Sequence, residues 1–345
     1  MKRHNFLFER IADYQNIRLA FLKALRGNRS SPVAINFCRN IDRNLASLRD
    51  KLISLNCGWG NYQSFLITDP KPRIISTAPF EQRIMHHAIM NVLEPVLERP
   101  MIYHSFACRK GKGTHAAVNY AFKQCKSNPC SLKLDIRKYF DSIDHEVLKT
   151  QLQRFIKDSR VIALLNGIID SYETEHGKGV PIGNLTSQFF ANMHLAGLDH
   201  YILEKLNPSA YCRYMDDFVV WGASLKELKI MFERINDYVN RELCLSLKQP
   251  VFCNSETGLP FLGFLVKKKG IYLLQKSKRR AKERMSEITA LLSLETITEE
   301  KAAERVRSVF AAIALARTNR FRVLLCAKGE RLWHLPCFTR RVVEQ

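Results

Sequence analysis

The chain has few acidic residues and lacks two common signatures, the paired cysteines of zinc sites and a long apolar run. None of its ten cysteines forms a C-x-x-C pair, so a zinc ribbon or zinc finger is not expected. No uninterrupted apolar stretch reaches the roughly 18 residues of a membrane-spanning helix, and charged residues interrupt the N-terminus before a signal-peptide core could form. We therefore expect no membrane-spanning helix, and reduced cysteines in a cytosol.

The shortage of acidic residues leaves a large positive charge. Asp and Glu number 33 against 54 Lys and Arg, which gives a formal net charge of +21 over 345 residues. Such an excess repels itself, and an anionic partner offsets it. Nucleic acid is the first candidate, because neutralised phosphates release counterions. A membrane surface is the second candidate, and a basic protein that is merely soluble is the third.

Apolar periodicity and turn residues predict an α+β protein rather than a doubly wound sheet. The expected elements are two short strands within 62–76, a helix over 80–98, a strand over 130–136, a helix from about Asp144, a helix over 182–206, a hairpin over 211–221 and an apolar run over 258–266. Nine Lys and Arg residues crowd 267–284, and Thr296 with Glu299 fits a capping box that begins a helix. We place a domain boundary near residue 266, with a small helical domain beyond it.

Three aspartates stand in strand contexts that disfavour this residue type. Asp135 lies on the polar face of an otherwise apolar strand, and Asp216 and Asp217 are adjacent at the tip of the predicted hairpin. Adjacent carboxylates repel each other, and oxygen ligands without nearby His or Cys suit Mg²⁺. Two such ions can activate a 3′-hydroxyl and stabilise the leaving pyrophosphate. For the Asp-Asp dipeptide alone, a simple turn is the alternative interpretation.

Four segments resemble motifs of reverse transcriptases and occur in that family's order. They are Asp-Pro-Lys-Pro-Arg at 69–73, LDIRKYFDSI at 134–143, Tyr-Met-Asp-Asp at 214–217 and Pro-Phe-Leu-Gly at 260–263. The resemblance covers about 60–265, and it implies a right-hand polymerase with fingers, a palm of antiparallel sheet plus helices, and a helical thumb. The implied ranges are 1–130 for N-terminal helices and fingers, 131–266 for the palm, with part of the fingers and palm helices in 144–206, and 267–345 for a basic thumb.

The same resemblance implies roles for individual residues. A metal site that comprises Asp135, Ile136, Asp216 and Asp217 would hold two Mg²⁺ ions. The substrates would be dNTPs. The implied nucleotide-binding residues are Lys71 and Arg73 at the triphosphate, Phe140 below the sugar, Lys248 at the phosphates, and Ile182 and Gln188. The implied primer grip is Phe261, Leu262 and Gly263. A solvated basic turn stays the alternative for Lys71 and Arg73, and a core aromatic stays the alternative for Phe140.

The segment before the hairpin departs from the usual family pattern. Most reverse transcriptases carry Gln-Gly-x-x-x-Ser-Pro there, whereas this chain has Ile182 in place of the Gln and Gln188 in place of the Pro. That variant, together with CRKGKGTH at 108–115, resembles the reverse transcriptases of diversity-generating retroelements. The resemblance implies misincorporation opposite template adenine in a bacterial or phage-infected host cytosol. The implied partners are a structured template RNA, the RNA–cDNA duplex and a small basic helical accessory protein.

Two other interpretations stay open. A retron or group II intron-like reverse transcriptase is the alternative within enzymes, and Ile182 with Gln188 argues against it. From another class, the chain could be an RNA-binding protein with an inactive polymerase fold. The intact Asp135, Asp216 and Asp217 argue against that.

Overall fold

The computed structural model describes residues 4–68 and 71–327. Asp69 and Pro70 of the predicted fingers segment lie outside the described residues, as do residues 328–345 of the predicted thumb. The helices are α1 Phe8–Ile11, α2 Tyr14–Leu25, α3 Pro32–Arg39, α4 Ile41–Ile53, α5 Phe80–Glu98, α6 Thr114–Ser127, α7 Tyr139–Ser142, α8 His145–Gln153, α9 Ser159–Asp170, α10 Leu185–His194, α11 Ala196–Tyr201, α12 Leu225–Glu242, α13 Gln275–Ser293, α14 Glu299–Ile313 and α15 Asn319–Ala327. The strands are β1 Gln63–Ile67, β2 Arg73–Thr77, β3 Cys130–Asp135, β4 Ala210–Tyr214, β5 Asp217–Gly222, β6 Val251–Asn254, β7 Leu259–Phe261, β8 Phe264–Lys267 and β9 Gly270–Leu273.

The elements divide between two compact units. The first comprises 1–108, 135–207 and 233–249, and the second comprises 109–134, 208–232 and 250–345. In the first unit, α2 packs along the largely buried helix α5, and β1 and β2 form an antiparallel ribbon. The second unit holds a four-stranded sheet of order β4-β5-β3-β6 and a three-stranded sheet of order β7-β8-β9. This mixture of helices and antiparallel sheets confirms the predicted α+β class.

Most of the predicted elements are confirmed where local signals define them. Pro72 lies between β1 and β2, as the helix-breaking effect of proline predicts. Burial alternates along strand β3 as expected, with Leu132 and Leu134 buried and Lys133 and Asp135 partly exposed. The side chain of Asp144 caps α8 by accepting a hydrogen bond from the Val147 amide at 3.0 Å. No helix in the described part of the chain is long and apolar enough to cross a membrane.

The single helix predicted over 182–206 is wrong in its extent. Gly183 has φ +118, outside the helical region, and Asn184 is extended, so α10 begins only at Leu185. Beyond α10 and α11, residues Ile202–Leu206 form a π-helical turn that ends at Asn207 with φ 46. Ile182 therefore precedes α10 and does not belong to it.

Two expectations beyond residue 258 also need correction. The helix after 296 is capped by Thr298, whose hydroxyl accepts from the Lys301 amide at 3.3 Å, and not by Thr296. The small helical domain expected beyond 266 is preceded by β9, which pairs with β8 through Leu265↔Tyr272 and Val266↔Ile271. The three-stranded sheet thus crosses position 266, and the helices begin at Gln275.

Candidate active site

The Tyr-Met-Asp-Asp segment forms the tip of the β4–β5 hairpin. Tyr214 pairs with Asp217, which leaves Met215 and Asp216 as a two-residue turn. Met215 has φ 57, a left-handed conformation that costs an ordinary side chain about 1–2 kcal/mol. The buried Arg213 donates its Nη1–H to the Met215 carbonyl at 3.1 Å, which stabilises the turn. The hairpin therefore places two carboxylates at a defined edge of the sheet.

The third aspartate ends the neighbouring strand. Asp135 is the last residue of β3 and Asp217 is the first of β5, and these strands are neighbours in the sheet order. The Lys133 Nζ lies 3.2 Å from Asp217 Oδ2. Because side chains two residues apart on a strand share a face, Lys133 and Asp135 point to the same side of the sheet. The pairing of Lys133 with Asp217 puts that carboxylate on this side too.

Two lysines hold the carboxylates as ion pairs. Besides the Lys133–Asp217 pair, the Lys248 Nζ lies 2.6 Å from Asp135 Oδ1, and the Lys248 amide donates to the Asp135 carbonyl at 2.8 Å. Burial and the negative charge of Asp217 raise the pKa of Cys212 well above its usual value, so that this thiol stays neutral. The predicted nucleotide residue Lys248 thus contacts a predicted metal carboxylate directly.

The donor chemistry at this sheet edge fits Mg²⁺, although the side chains are not gathered around one point. Among the described residues, no group of three or more His, Cys, Asp or Glu side chains is arranged to hold a metal ion. The oxygen-only set of Asp135, Asp216 and Asp217 is nevertheless the kind that hard cations prefer. Ile136 is fully buried and could contribute only its main-chain carbonyl. Lys133 and Lys248 instead each place an ammonium group beside one of these carboxylates.

A cavity of about 800 Å³ in the first unit brings two of the six predicted nucleotide-binding residues together. Arg73 and Ile182 both line it, whereas Lys71, Phe140, Gln188 and Lys248 do not. Phe140 is half-buried in α7, Gln188 is half-buried in α10, and Lys71 is exposed. The cavity also contains two cations and two carboxylates that the sequence did not single out, namely Lys138, Lys178, Asp141 and Glu175.

Ile182 is joined to the β1–β2 ribbon by the backbone. The Ser76 amide donates to the Ile182 carbonyl at 2.8 Å, and the Ala78 amide donates to Asn184 Oδ1 at 3.1 Å. A β-carbon on Gly183 would lie 2.7 Å from Ile75 Cγ2, so only glycine permits this close approach. The strand that carries Arg73 is therefore fixed to the segment that carries Ile182.

The predicted primer grip forms the turn between β7 and β8. Phe261 is buried, whereas Leu262 and Gly263 have φ values of 48 and 88. The Ser277 hydroxyl of α13 donates to the Gly263 carbonyl at 2.7 Å. A cavity of about 310 Å³, here called the primer-grip cavity, lies beside this turn. It is lined by the turn and by helical residues that include Thr114, His115, Arg280 and Arg284.

Comparison with known proteins decides the family. A family model described as reverse transcriptase (RNA-dependent DNA polymerase) matches residues 68–266, more than half of the chain. The chain belongs to the reverse transcriptase family. The matched range contains the predicted carboxylates, the predicted primer grip and the whole predicted fingers segment at 69–73.

Curated relatives of this reverse transcriptase are identical to it at about a quarter of the aligned residues. Protein YkfC of Escherichia coli (strain K12) is 25% identical over 328 residues, which cover 80% of this chain and 81% of that protein. The putative COX1/OXI3 intron 1 protein of Saccharomyces cerevisiae is 25% identical over 153 residues, which cover 41% of this chain but 18% of that protein. The group II intron-encoded protein LtrA of Lactococcus lactis is 24% identical over 140 residues, 39% of this chain and 23% of that protein.

Solved structures confirm the right-hand polymerase fold. The telomerase of Candida albicans in complex with a TWJ fragment of telomeric RNA matches with a TM-score of 0.50 at 10% identity, over 78% of this chain and 56% of that one. The apo telomerase of Candida tropicalis matches with a TM-score of 0.50 at 13% identity, over 82% and 62%. At these identities the likeness concerns the fold alone.

Several residues of this reverse transcriptase's candidate site are not predicted by its sequence patterns. Lys133 could have been noticed, because it precedes Asp135 by two residues and shares its strand face. Thr114 is the second-last residue of the CRKGKGTH segment, and its hydroxyl donates to the Tyr214 hydroxyl at 3.2 Å. Lys138 and Lys178 gave no local signal, because only the fold brings them into one cavity.

Proposed function

We propose that this reverse transcriptase copies RNA into DNA by two-metal nucleotidyl transfer at Asp135, Asp216 and Asp217. The observation that carries the proposal is that Asp135 ends β3 and Asp217 begins the neighbouring strand β5, with Asp216 in the turn directly before it. Asp217 lies on the face that bears Lys133 and Asp135. When bound, two Mg²⁺ ions supply activation of the primer 3′-hydroxyl and charge stabilisation for the leaving pyrophosphate.

The protein's own side chains would bind and orient the reactants. Carboxylate oxygens of the three aspartates would hold the ions, and Lys133 and Lys248 position two of those carboxylates. The guanidinium of Arg73 matches phosphate oxygens in bidentate geometry. With Lys138 and Lys178 in the same cavity, it would bind the triphosphate of the incoming dNTP. Phe140 would exclude a 2′-hydroxyl, and Leu262 and Gly263 would place the primer end.

The metal assignment is tested with Asp135→Asn and Asp216→Asn. Either change removes carboxylate charge with little change in shape, so primer extension with Mg²⁺ should fall below detection. The melting temperature and RNA affinity should stay close to the parent's, because binding comes from the basic surface. Asp237→Asn is the matched control, since Asp237 is an exposed α12 carboxylate paired with Arg241. Substantial extension by Asp135→Asn would contradict the metal site, and inactive parent protein would favour the inactive-fold alternative.

We further propose that the enzyme is error-prone opposite template adenine, as in diversity-generating retroelements. Ile182 lines the cavity with Arg73 and Ile74, and its carbonyl is fixed by Ser76. An isoleucine side chain cannot hydrogen-bond, so a polar contact that strengthens on a correctly shaped base pair is missing. Discrimination depends on interactions that are stronger in the correct transition state, and it should therefore fall. Adenine pairs with two hydrogen bonds, but uracil does too, so hydrogen bonding alone does not account for a preference for adenine.

The fidelity proposal is tested by sequencing cDNA made on an adenine-containing template. Ile182→Gln should lower misincorporation opposite adenine, whereas Ile74→Gln, which adds an amide to the same cavity from the ribbon, should not. A parent enzyme that is accurate opposite adenine contradicts the diversity-generating assignment. If the parent is error-prone opposite adenine and Ile182→Gln has the same error spectrum, the diversity-generating assignment stands but the mechanism through Ile182 is rejected.

A group II intron-like reverse transcriptase is the second candidate, and the intron-encoded relatives favour it. The proposed diversity-generating enzyme would act in a bacterial or phage-infected cytosol on a structured template RNA, with a small basic helical accessory protein. Co-purification of such a protein from the native source, together with adenine-directed errors, would separate the two candidates. A retron-like enzyme would show neither.

A further inference from the structure

The basic segment after residue 266 lies on two different surfaces of the second unit. On α13, Arg280 and Arg284 line the primer-grip cavity together with Leu262 and Gly263 of the turn. Lys278 lies instead in a second depression, which it shares with Lys267 and Lys269. One helix therefore divides its positive charge between the primer-grip cavity and a separate surface.

This second surface is a groove made of two adjoining cavities of about 530 and 500 Å³. The cavities share Tyr272, Leu273 and Lys278, so they form one continuous depression, here called the outer groove. Of the described residues that line the outer groove, Leu273 alone also lines the primer-grip cavity. The strand β9 contributes the floor, the β8–β9 turn contributes one end, and the start of α15 contributes the other.

Positive charge dominates the outer groove. Among the described residues that line it, five are cations and one, Glu256, is acidic. Glu256 lies 3.9 Å from the neighbouring Lys268. Within the residues that the structure describes, none of the five cations forms an ion pair. An unneutralised cluster of this kind attracts a polyanion. The five cations are Lys267, Lys269, Lys278, Arg317 and Arg320.

The far end of the groove is held firmly by backbone contacts. The Arg317 amide donates to the Ile271 carbonyl at 2.9 Å, and a β-carbon on Gly270 would lie 2.9 Å from Arg317 Nε. The buried Arg322 donates to the Ala314 carbonyl at 3.1 Å, which fastens the turn between α14 and α15. The cations are thus presented by a defined structure.

Aromatic rings distinguish this groove from a simple basic patch. Tyr272 is half-buried at the point where the two cavities meet, and the half-buried Phe321 lies in the second cavity. A basic groove that contains aromatic rings is the arrangement that binds single strands, because unpaired bases stack on the rings while cations follow the backbone. In a duplex the bases are already stacked and do not reach such rings.

We propose that the outer groove binds a single-stranded segment of RNA, separately from the duplex at the primer-grip cavity. Phosphates would contact the five cations, and a base would stack on Tyr272. The site would let the enzyme hold its RNA through an unpaired segment while the polymerase site is engaged elsewhere. This proposal does not depend on the metal assignment or on the fidelity proposal.

The proposal is tested by binding of the full-length protein to two probes, an unstructured RNA 12-mer and a blunt RNA–DNA duplex. Lys278→Gln with Arg320→Gln should weaken 12-mer binding about tenfold and reduce its salt slope by about 1.4, since each lost phosphate contact on a single strand contributes about 0.7. Lys276→Gln with Lys282→Gln is the matched control, because it removes the same charge from exposed α13 positions that line neither cavity.

The aromatic contact needs its own pair of variants. Tyr272→Leu should weaken 12-mer binding roughly five- to hundredfold through loss of stacking, whereas Tyr272→Phe should bind like the parent. Duplex affinity and extension of a preformed primer duplex should change less than about twofold in every groove variant. Equal effects of the groove pair and the control pair on the 12-mer would overturn the proposal. It would also be overturned by duplex binding that falls as much as 12-mer binding, or by unchanged binding in Tyr272→Leu.

Discussion

Phe140 is the residue that we propose as the steric limit on the sugar of the incoming nucleotide. It lies five residues after Asp135 in the short helix α7, and its carbonyl accepts a hydrogen bond from the Val180 amide at 2.8 Å. Its ring is half-buried and meets Tyr139 edge-on, with centroids 5.8 Å apart. The residue is therefore neither a fully buried core aromatic nor a mobile surface one.

We expect Phe140→Ala to raise rNTP incorporation about tenfold or more relative to dNTP, because the ring that would exclude a 2′-hydroxyl is gone. Phe140→Tyr keeps the ring and should retain the selectivity of the parent. The measurement is single-nucleotide extension with each sugar type, expressed as a ratio of kcat/KM values. A Phe140→Ala enzyme that discriminates like the parent would show that the ring only packs.

Single residues differ in how well the sequence predicts their surroundings. Asp216 and Asp217 follow from a local pattern, since a hairpin tip needs only the residues beside it. Lys138 and Lys178 lie forty residues apart, and they reach one cavity through bonds such as Val180 to Phe140 and His145 to the Gly177 carbonyl. Because no local pattern encodes that pairing, the cationic content of the cavity could be found only in the structure.

The β1–β2 ribbon depends on one glycine for its position. Gly183 has φ +118, and a β-carbon there would lie 2.7 Å from Ile75 Cγ2 on β2. Gly183→Ala therefore combines backbone strain with a clash, and we expect it to push away the strand that carries Arg73. The predicted result is a KM for dNTP raised about tenfold, since a misplacement of about 1 Å weakens a bound geometry strongly. Steady-state extension measures it.

A matched glycine separates the clash from backbone strain. Gly177 also has positive φ, +70, but a β-carbon there meets nothing within 4 Å. Gly177→Ala should therefore pay only about 1 kcal/mol of strain and leave the KM for dNTP near that of the parent. Adding Ile75→Ala to Gly183→Ala removes the clashing methyl group and should restore much of the affinity. Equal KM values for the two glycine variants would contradict the role given to the ribbon contact.

Helix boundaries show where local signals suffice and where they do not. Asp144 is one unambiguous cap, and α8 begins directly after it. Thr296 and Thr298 both offer a hydroxyl before α14, and the structure uses Thr298, which puts Glu299 and Glu300 in the first turn, where the helix dipole favours acids. The apolar period continues from 182 to 206, yet tertiary contacts of Ile182 and Asn184 hold the first residues out of the helix.

At the scale of the whole molecule, buried histidines link stability to pH. Burial, with a smaller contribution from His87, lowers the pKa of His86 to about 3, and His86 stacks on Trp59 with ring centroids 5.2 Å apart. Burial also lowers the pKa of His194 to about 4, although the charge of Asp144 acts in the opposite direction. Both imidazoles are therefore neutral in the folded protein at pH values where unfolded histidine, with a pKa of about 6.5, takes up a proton.

We expect the melting temperature to fall as the pH drops from about 6.5 towards 4.5. Over this range these histidines take up protons in the unfolded chain but stay unprotonated in the folded protein, which favours unfolding. A histidine whose pKa is lowered by folding makes its full contribution to the free energy of unfolding above the pKa that it has in the unfolded chain. As the pH falls below that value, the contribution is lost at up to about 1.4 kcal/mol per pH unit for each group. His86→Phe keeps a ring against Trp59 and removes one titrating group, so its melting temperature should depend less on pH. His176→Gln is the control, because that side chain is fully exposed and should leave the slope unchanged.

The measurement is the melting temperature at several pH values with constant ionic strength. A slope that is the same in His86→Phe and the parent would mean that His86 does not control acid stability.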